Sequence, residues 1–304
     1  MKLVTYIHRE VSRLGVVIHD HVIDLEQLCR SFQSEKGDFP SLAEFPEEML
    51  ALLRSGEETW QILATIVNWA ESEPETIRPY SYSLDEVHFA PPLYNPSKIV
   101  CVGLNYHDHC REQNVEVPQR PLLFAKFPST IIGLDDEITW QPKITEQVDY
   151  EAELGVIIGR KGRNISLNES FNYIAGYTII NDVSARDLQV SDVQWVRGKS
   201  LDTFCPIGPY LVTADEVADP QHLKIQCWVN GELRQDSNTA EMIFKIPELI
   251  TFISQTCTLM PGDIISTGTP NGVGVFRKPP VFLHPGDLVE VEIEKLGRLR
   301  NMVR

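Results

Sequence analysis

The stretch Asp149-Tyr150-Glu151-Ala152-Glu153-Leu154-Gly155-Val156-Ile157-Ile158 places two carboxylates one residue apart at the head of an apolar run. Side chains alternate faces along a β-strand, so Glu151 and Glu153 share one face there, while Ala152, Leu154, Val156 and Ile158 share the other. On a helix the two glutamates would diverge. The run ends at Gly159 and the polar turn Arg160-Lys161-Gly162-Arg163-Asn164, and its β-branched residues favour a strand. Carboxylates ~4 Å apart repel by about 4 kcal/mol under an effective dielectric of ~20 unless a cation separates them. A divalent metal meets that need. A solvated strand face is the competing account, because Asp+Glu total 43 against 27 Lys+Arg.

With 304 residues and 42% hydrophobic content, the chain has enough apolar material for one large or two modest folded domains. The formal charge of -16 repels polyphosphates and anionic membranes, and no basic patch offsets it, so nucleic acid is not an expected partner. No apolar run reaches the ~18 residues of a membrane span, and the N-terminus becomes charged before a signal-peptide core develops. Cys29, Cys101, Cys110, Cys205, Cys227 and Cys257 form no CxxC pair, as expected of reduced thiols in a cytoplasmic protein.

Short strands are expected at Leu3 to Ile7, Gly15 to Ile18 and Val22 to Leu25, then amphipathic helices at Glu47 to Arg54 and Glu58 to Ala70. Prolines 74, 79, 91, 92 and 96 make Glu73 to Ser97 an extended connector, which divides the chain into a small α/β domain, 1–90, and a second domain, 91–304. Beyond the connector, apolar runs recur at Ile99 to Val102, Ile174 to Asn181, Ile207 to Val212, Leu223 to Val229, Ile264 to Thr267 and Leu288 to Ile293. This density of strands predicts a mostly β second domain, with Asn230-Gly231 as a hairpin turn and Pro261-Gly262-Asp263 and Pro285-Gly286-Asp287 as turns leading into strands.

Asp182 closes the apolar run Tyr177 to Asn181, where its carboxylate either joins Glu151 and Glu153 as an oxygen ligand for octahedral Mg²⁺ or Mn²⁺, or caps the segment that follows. On a short helix, His109 and Glu112 share a face, so the carboxylate can orient an imidazole base; a surface ion pair is the alternative. Zinc at His107, His109 and Cys110 lacks a second ligand cluster. Lys126, Arg186, Gln189 and Lys199 lie on segments flanking these acids. Gly198-Lys199-Ser200 mimics the end of a phosphate-binding loop but fails at Val193. The loop Ser266 to Gly274 could hold an anionic group on its amides and hydroxyls, or simply close a hairpin.

Taken together, Gly-Leu-Asn-Tyr with His109 and Glu112, the Asp-Tyr-Glu-Ala-Glu-Leu strand, Asn181-Asp182 with Ser184 to Gln189, Gly198-Lys199-Ser200 with Pro206 to Pro209, and the Thr-Gly-Thr-Pro loop resemble the fumarylacetoacetate hydrolase family from about Pro96 to Val303. The likeness extends to bacterial members with an extra N-terminal domain. It implies that Glu151, Glu153 and Asp182 bind Mg²⁺ or Mn²⁺, that His109 and Glu112 are the catalytic dyad, and that Lys199 stabilises negative charge. It also places Arg186, Gln189 and Thr269 near the ligand. Lys126 is a further candidate for substrate binding. The implied fold is α+β and mostly β, a mixed β-sandwich roll in a homodimer. Asn105 stands near the position where the tyrosine-degradation enzyme of the family has a fourth acidic ligand, a departure that bears on that enzyme's own substrate.

The expected activity is metal-dependent carbon-carbon hydrolysis of an acylpyruvate, fumarylpyruvate or fumarylacetoacetate-like acid. His109 would activate water, Lys199 would hold the oxyanion, and pyruvate would leave as its enolate. Oxaloacetate decarboxylation and 2-hydroxymuconate-type isomerisation share the enolate. A metal-binding scaffold is the reading outside enzymes.

Overall fold

The computed structural model describes residues 1–37 and 45–304. Lys2–His8, Val11–Ile18 and His21–Asp24 form an antiparallel meander. The third strand stops before Leu25, because the Asp24 carboxylate accepts from the Gln27 amide at 2.9 Å and starts the helix Leu25–Lys36. Helices Met49–Arg54 and Glu57–Ser72 follow at the expected positions. The connector is less extended than its prolines suggest. Pro74 opens the helical turn Pro74–Ile77, where an absent amide proton breaks no bond, and Ser81–Ser83 and His88–Ala90 pair into the sheet.

A 12-stranded mixed sheet runs through both parts of the chain. Near its centre, Ala152–Ile158 lies antiparallel between Ile174–Asn181 and Ile264–Ser266. Ile99–Gly103 adds parallel to Ile264–Ser266, and Leu122–Lys126 adds antiparallel to that. On the other side, Cys205–Thr213 pairs with both Ile174–Asn181 and Lys2–His8, so the N-terminal meander continues the same sheet. A four-stranded antiparallel sheet holds Glu232–Asn238, Lys224–Val229, Leu288–Ile293 and Gly297–Met302. Its tight turn is Asn230-Gly231, with φ of 53° and 75°, both positive as a two-residue type I′ turn demands.

The two faces of the central strand are buried differently. Ala152, Leu154, Val156 and Ile158 join one apolar core with Ile225, Val289 and Val291 of the four-stranded sheet and with the helix Ile246–Thr256. Ile157 lies in a second core, with Cys101, Ile180 and Ile264, closed by Leu28, Leu52, Leu63 and Ile66 of the N-terminal helices. Glu151 and Glu153 have the parity of Ile157. The architecture is α+β and mostly β, as expected.

Candidate active site

Strand register assembles the carboxylates. Ala152 pairs with Asn181, and the Asp182 amide donates to the Glu151 carbonyl at 2.9 Å, so the ends of two neighbouring strands bring Glu151, Glu153 and Asp182 together. A carboxylate oxygen from each lies within 4.8 Å of the others, and all three residues are buried. The capping alternative for Asp182 is not what forms, since the helix Arg186–Ser191 has no side-chain cap.

Buried cations answer most of this charge. Lys199 Nζ donates to Glu151 Oε2 at 2.6 Å and to Asp182 Oδ2 at 2.8 Å. Lys126 Nζ donates to Asp182 Oδ1 at 2.6 Å and to the Val183 carbonyl at 3.1 Å; it lies beneath the carboxylates rather than lining the cavity. Arg186 reaches Asp149 through Nε at 2.9 Å, and its Nη1 reaches Glu151 at 2.6 Å and Gln189 Oε1 at 3.0 Å. Its Nη2 is buried without a partner. Arg186, Lys126 and Lys199 thus face Asp149, Glu151, Glu153 and Asp182, leaving one anion in excess. That anion is Glu153, which accepts from the Ser266 hydroxyl and, at 3.0 Å, from the Gly268 amide, and has no ion pair among the described residues.

The ionisation preferences follow. Burial pushes the Glu151 carboxyl up, but the Lys199 and Arg186 charges outweigh it and hold the group well below the usual carboxylate range. Glu153 goes the other way: burial first, then the charges of Asp182 and Glu151, drive it well above. Burial disfavours the Lys199 ammonium, yet Asp182 and Glu151 keep it above the ordinary lysine value. A buried oxygen-donor set with uncompensated negative charge fits a hard divalent cation.

The three-residue step does bring His109 and Glu112 together. On the helix His107–Gln113, His109 Nδ1 meets Glu112 Oε2 at 3.1 Å, leaving Nε2 for the cavity that His109 lines. The Gly-rich loop does hold anionic groups, but they are the protein's own. Gly272 N donates to Glu112 Oε1 at 2.9 Å, Gly268 N to Glu153, and the Gly274 and Val275 amides to Asp149 at 2.7 and 2.9 Å. Thr269 lines the cavity, and its Oγ1 accepts from Gln235 Nε2 at 2.8 Å. Sequence reasoning did not single out Asp149 or Gly272, although Asp149 opens the very stretch that carries the glutamates. Asn105 is a buried clip: Nδ2 donates to the carbonyls of Phe244 and Thr267 at 3.1 and 2.8 Å, and Oδ1 accepts from Phe244 N at 2.8 Å.

These groups surround a cavity of about 330 Å³. Glu151, Glu153, Arg186, Gln189 and Lys199 give it a polar end, and Phe124, Val190, Val193 and Trp195 give it an apolar wall. All six cysteines are free thiols. Among the described residues, no helix is long and apolar enough to cross a membrane.

Residues 98–304 match the family model described as fumarylacetoacetate (FAA) hydrolase C-terminal. Oxaloacetate tautomerase FAHD2B, mitochondrial, from Bos taurus is 52% identical over 260 residues, spanning 85% of this chain and 80% of that protein. Oxaloacetate tautomerase YisK from Bacillus subtilis (strain 168) is 41% identical over 285 residues, 93% of this chain and 94% of that one. The solved structure of maleylpyruvate hydrolase from Sphingobium sp. SYK-6, in complex with manganese (II) ion and pyruvate, superposes with a TM-score of 0.74 at 30% identity, covering 100% of this chain and 98% of that chain.

Proposed function

The chain belongs to the fumarylacetoacetate hydrolase family, whose enzymes use Mg²⁺ or Mn²⁺, and from that premise we propose that it is a tautomerase interconverting the enol and keto forms of oxaloacetate. The observation that carries this reading is the His109 imidazole, held at Nδ1 by Glu112 and lining the same cavity as the three carboxylates. In the bound state Glu151, Glu153 and Asp182 would hold the cation, which supplies Lewis-acid polarisation of the 2-oxo group and stabilises enolate charge. His109 Nε2 moves the proton to and from C3 of the substrate, and Glu112 keeps the imidazole in the tautomer that does so. Arg186 lines the cavity and brings positive charge toward a substrate carboxylate, with Gln189 and Asp149 fixing the guanidinium. Lys199 places positive charge beside the developing enolate, and Lys126 holds Asp182 from beneath.

The test is ultraviolet absorbance of enol-oxaloacetate with Mg²⁺ present. Wild type accelerates its loss, and His109→Ala reduces that acceleration by about 10²–10⁴-fold. Unaccelerated interconversion by wild type would overturn the proposal. A second reading, hydrolysis of an acylpyruvate, is supported by the same dyad, which can equally activate water; it requires pyruvate release from acylpyruvates at rates above those of tautomerisation. We further propose that the enzyme works as a cytoplasmic homodimer, the compartment resting on its free thiols and the dimer on the family resemblance. Residues 1–90, in this proposal, extend the sheet with their strands, cover it with their helices and take no part in the chemistry of 91–304.

A further inference from the structure

The cavity is larger than its polar end requires. About 330 Å³ falls within the range of pockets for drug-sized ligands, about 300–1,000 Å³, whereas oxaloacetate directed at Arg186 and Lys199 occupies only the polar end. One stretch of the lining, made by Leu104, Phe124, Val190, Val193 and Trp195, carries no charged side chain of its own.

This wall is built around Trp195. Its indole lies so close to Gly103 that a Cβ at that position would collide with Cζ3 and come within 2.9 Å of Cη2. Gly103 ends the strand Ile99–Gly103 without a positive φ, so its missing side chain makes room rather than supplying backbone freedom. Phe124 meets the indole edge to face, with centroids 5.3 Å apart and planes at 66°. The face of the same phenyl lies 5.1 Å from Lys199 Nζ. Trp195 caps the helical turn Val196–Lys199 and Lys199 ends it, the turn being closed by the Lys199 amide donating to the Trp195 carbonyl at 3.0 Å. The aromatic wall and the ammonium beside the carboxylates are therefore one packed assembly. At the rim, Val193 is held at φ 65°, a conformation that β-branched residues rarely adopt, with its side chain exposed beside the cavity.

We propose that the site also tautomerises arylpyruvates, with the ring against Phe124 and Trp195 and the 2-oxo acid at the polar end. An aromatic ring suits a wall that offers both a ring edge and a ring face. The reaction balances without a co-reactant. The enol O–H bond breaks and C2–O becomes C=O, while the C2=C3 pair takes a proton at C3, with His109 serving the transfer at carbon. The inference rests on the tautomerase reading of the same site.

The test follows loss of enol-phenylpyruvate and of enol-oxaloacetate by absorbance, in parallel, with Mg²⁺. Wild type is expected to accelerate both. In Trp195→Ala and in the milder Phe124→Leu, the ratio of kcat/KM for phenylpyruvate to that for oxaloacetate falls at least about tenfold, mainly through KM. Acceleration of oxaloacetate alone by wild type overturns the inference and leaves the tautomerase reading standing. Acceleration of neither overturns both. Turnover of phenylpyruvate with an unchanged ratio in both variants overturns the assignment of the wall.

Discussion

The Gly272 amide donates to Glu112 Oε1 at 2.9 Å, so the backbone of the Gly-rich loop orients the carboxylate that orients His109. Two further bonds fix the donor, because the Gly272 carbonyl accepts from Tyr150 Oη at 3.1 Å and from Arg277 Nη2 at 3.3 Å. Gly272 has φ 101°, and a Cβ there would collide with the Arg234 carbonyl oxygen. Gly272→Ala should therefore lower kcat by at least about tenfold, with a stability loss of about 1–3 kcal/mol from backbone strain. Steady-state kinetics and urea unfolding check the two effects separately.

Removal of the cation should silence the enzyme. Dialysis against a chelator is expected to abolish tautomerisation, and Mg²⁺ or Mn²⁺ should restore it. Because the cation binds the folded chain, unfolding should cost about 2.7 kcal/mol more at a hundredfold excess over Kd, and Glu153→Gln should remove most of that gain. Calorimetric unfolding with and without the metal reads this directly.

Lys126 holds Asp182 from below in a pair with no solvent exposure on either side chain. Lys126→Met leaves a buried carboxylate short of one cation, so a destabilisation of about 3–5 kcal/mol is expected, because breaking one half of a buried pair costs more than the pair is worth. Urea midpoints at neutral pH provide the measurement, and a loss below about 1 kcal/mol would refute the account.

Alkaline pH should weaken the fold. Burial, reinforced by the Asp24 hydrogen bond and charge, raises the Tyr6 hydroxyl, and burial likewise raises Tyr150 and Tyr177. A folded value above the unfolded one, about 10, gives stability that is fully present below pH ~10 and is lost as pH rises toward the folded values. The slope is up to about 1.4 kcal/mol per pH unit for each such tyrosine. Urea midpoints from pH 8 to 11 trace it, and Tyr6→Phe should make the decline shallower.

Much of the site was legible because it depends on local spacing. Alternation placed Glu151 and Glu153 on one face, a three-residue step brought His109 to Glu112, and the strand-ending Asp182 lay where sheet register delivers it. Other partners depend on distant parts of the chain, beyond the reach of periodicity. Gly272 lies 160 positions from Glu112, Gly274 lies 125 from Asp149, and Trp195 meets Phe124 only once the sheet is assembled. The helix Leu25–Lys36 was hidden by the strand-like run before it, and the Asp24 cap decides the boundary. Family resemblance and spacing together reached metal-assisted enolate chemistry. They do not separate hydrolysis from tautomerisation, because the two differ in whether water is admitted beside His109.

The central strand belongs to two environments at once. Its carboxylate row continues from Glu153 through Gly155 to Ile157, and Ile157 lies beneath helices contributed by the first ninety residues. Deleting that segment would take the neighbour Lys2–His8 from Cys205–Thr213 and leave an unpaired sheet edge open to self-association. It would also wet the apolar layer formed by Cys101, Ile157, Ile180 and Ile264. Though none of its described residues lines the cavity, the N-terminal segment thus acts as the back plate against which the strand carrying Glu153 is braced. Wear at that plate would be felt as lost catalysis.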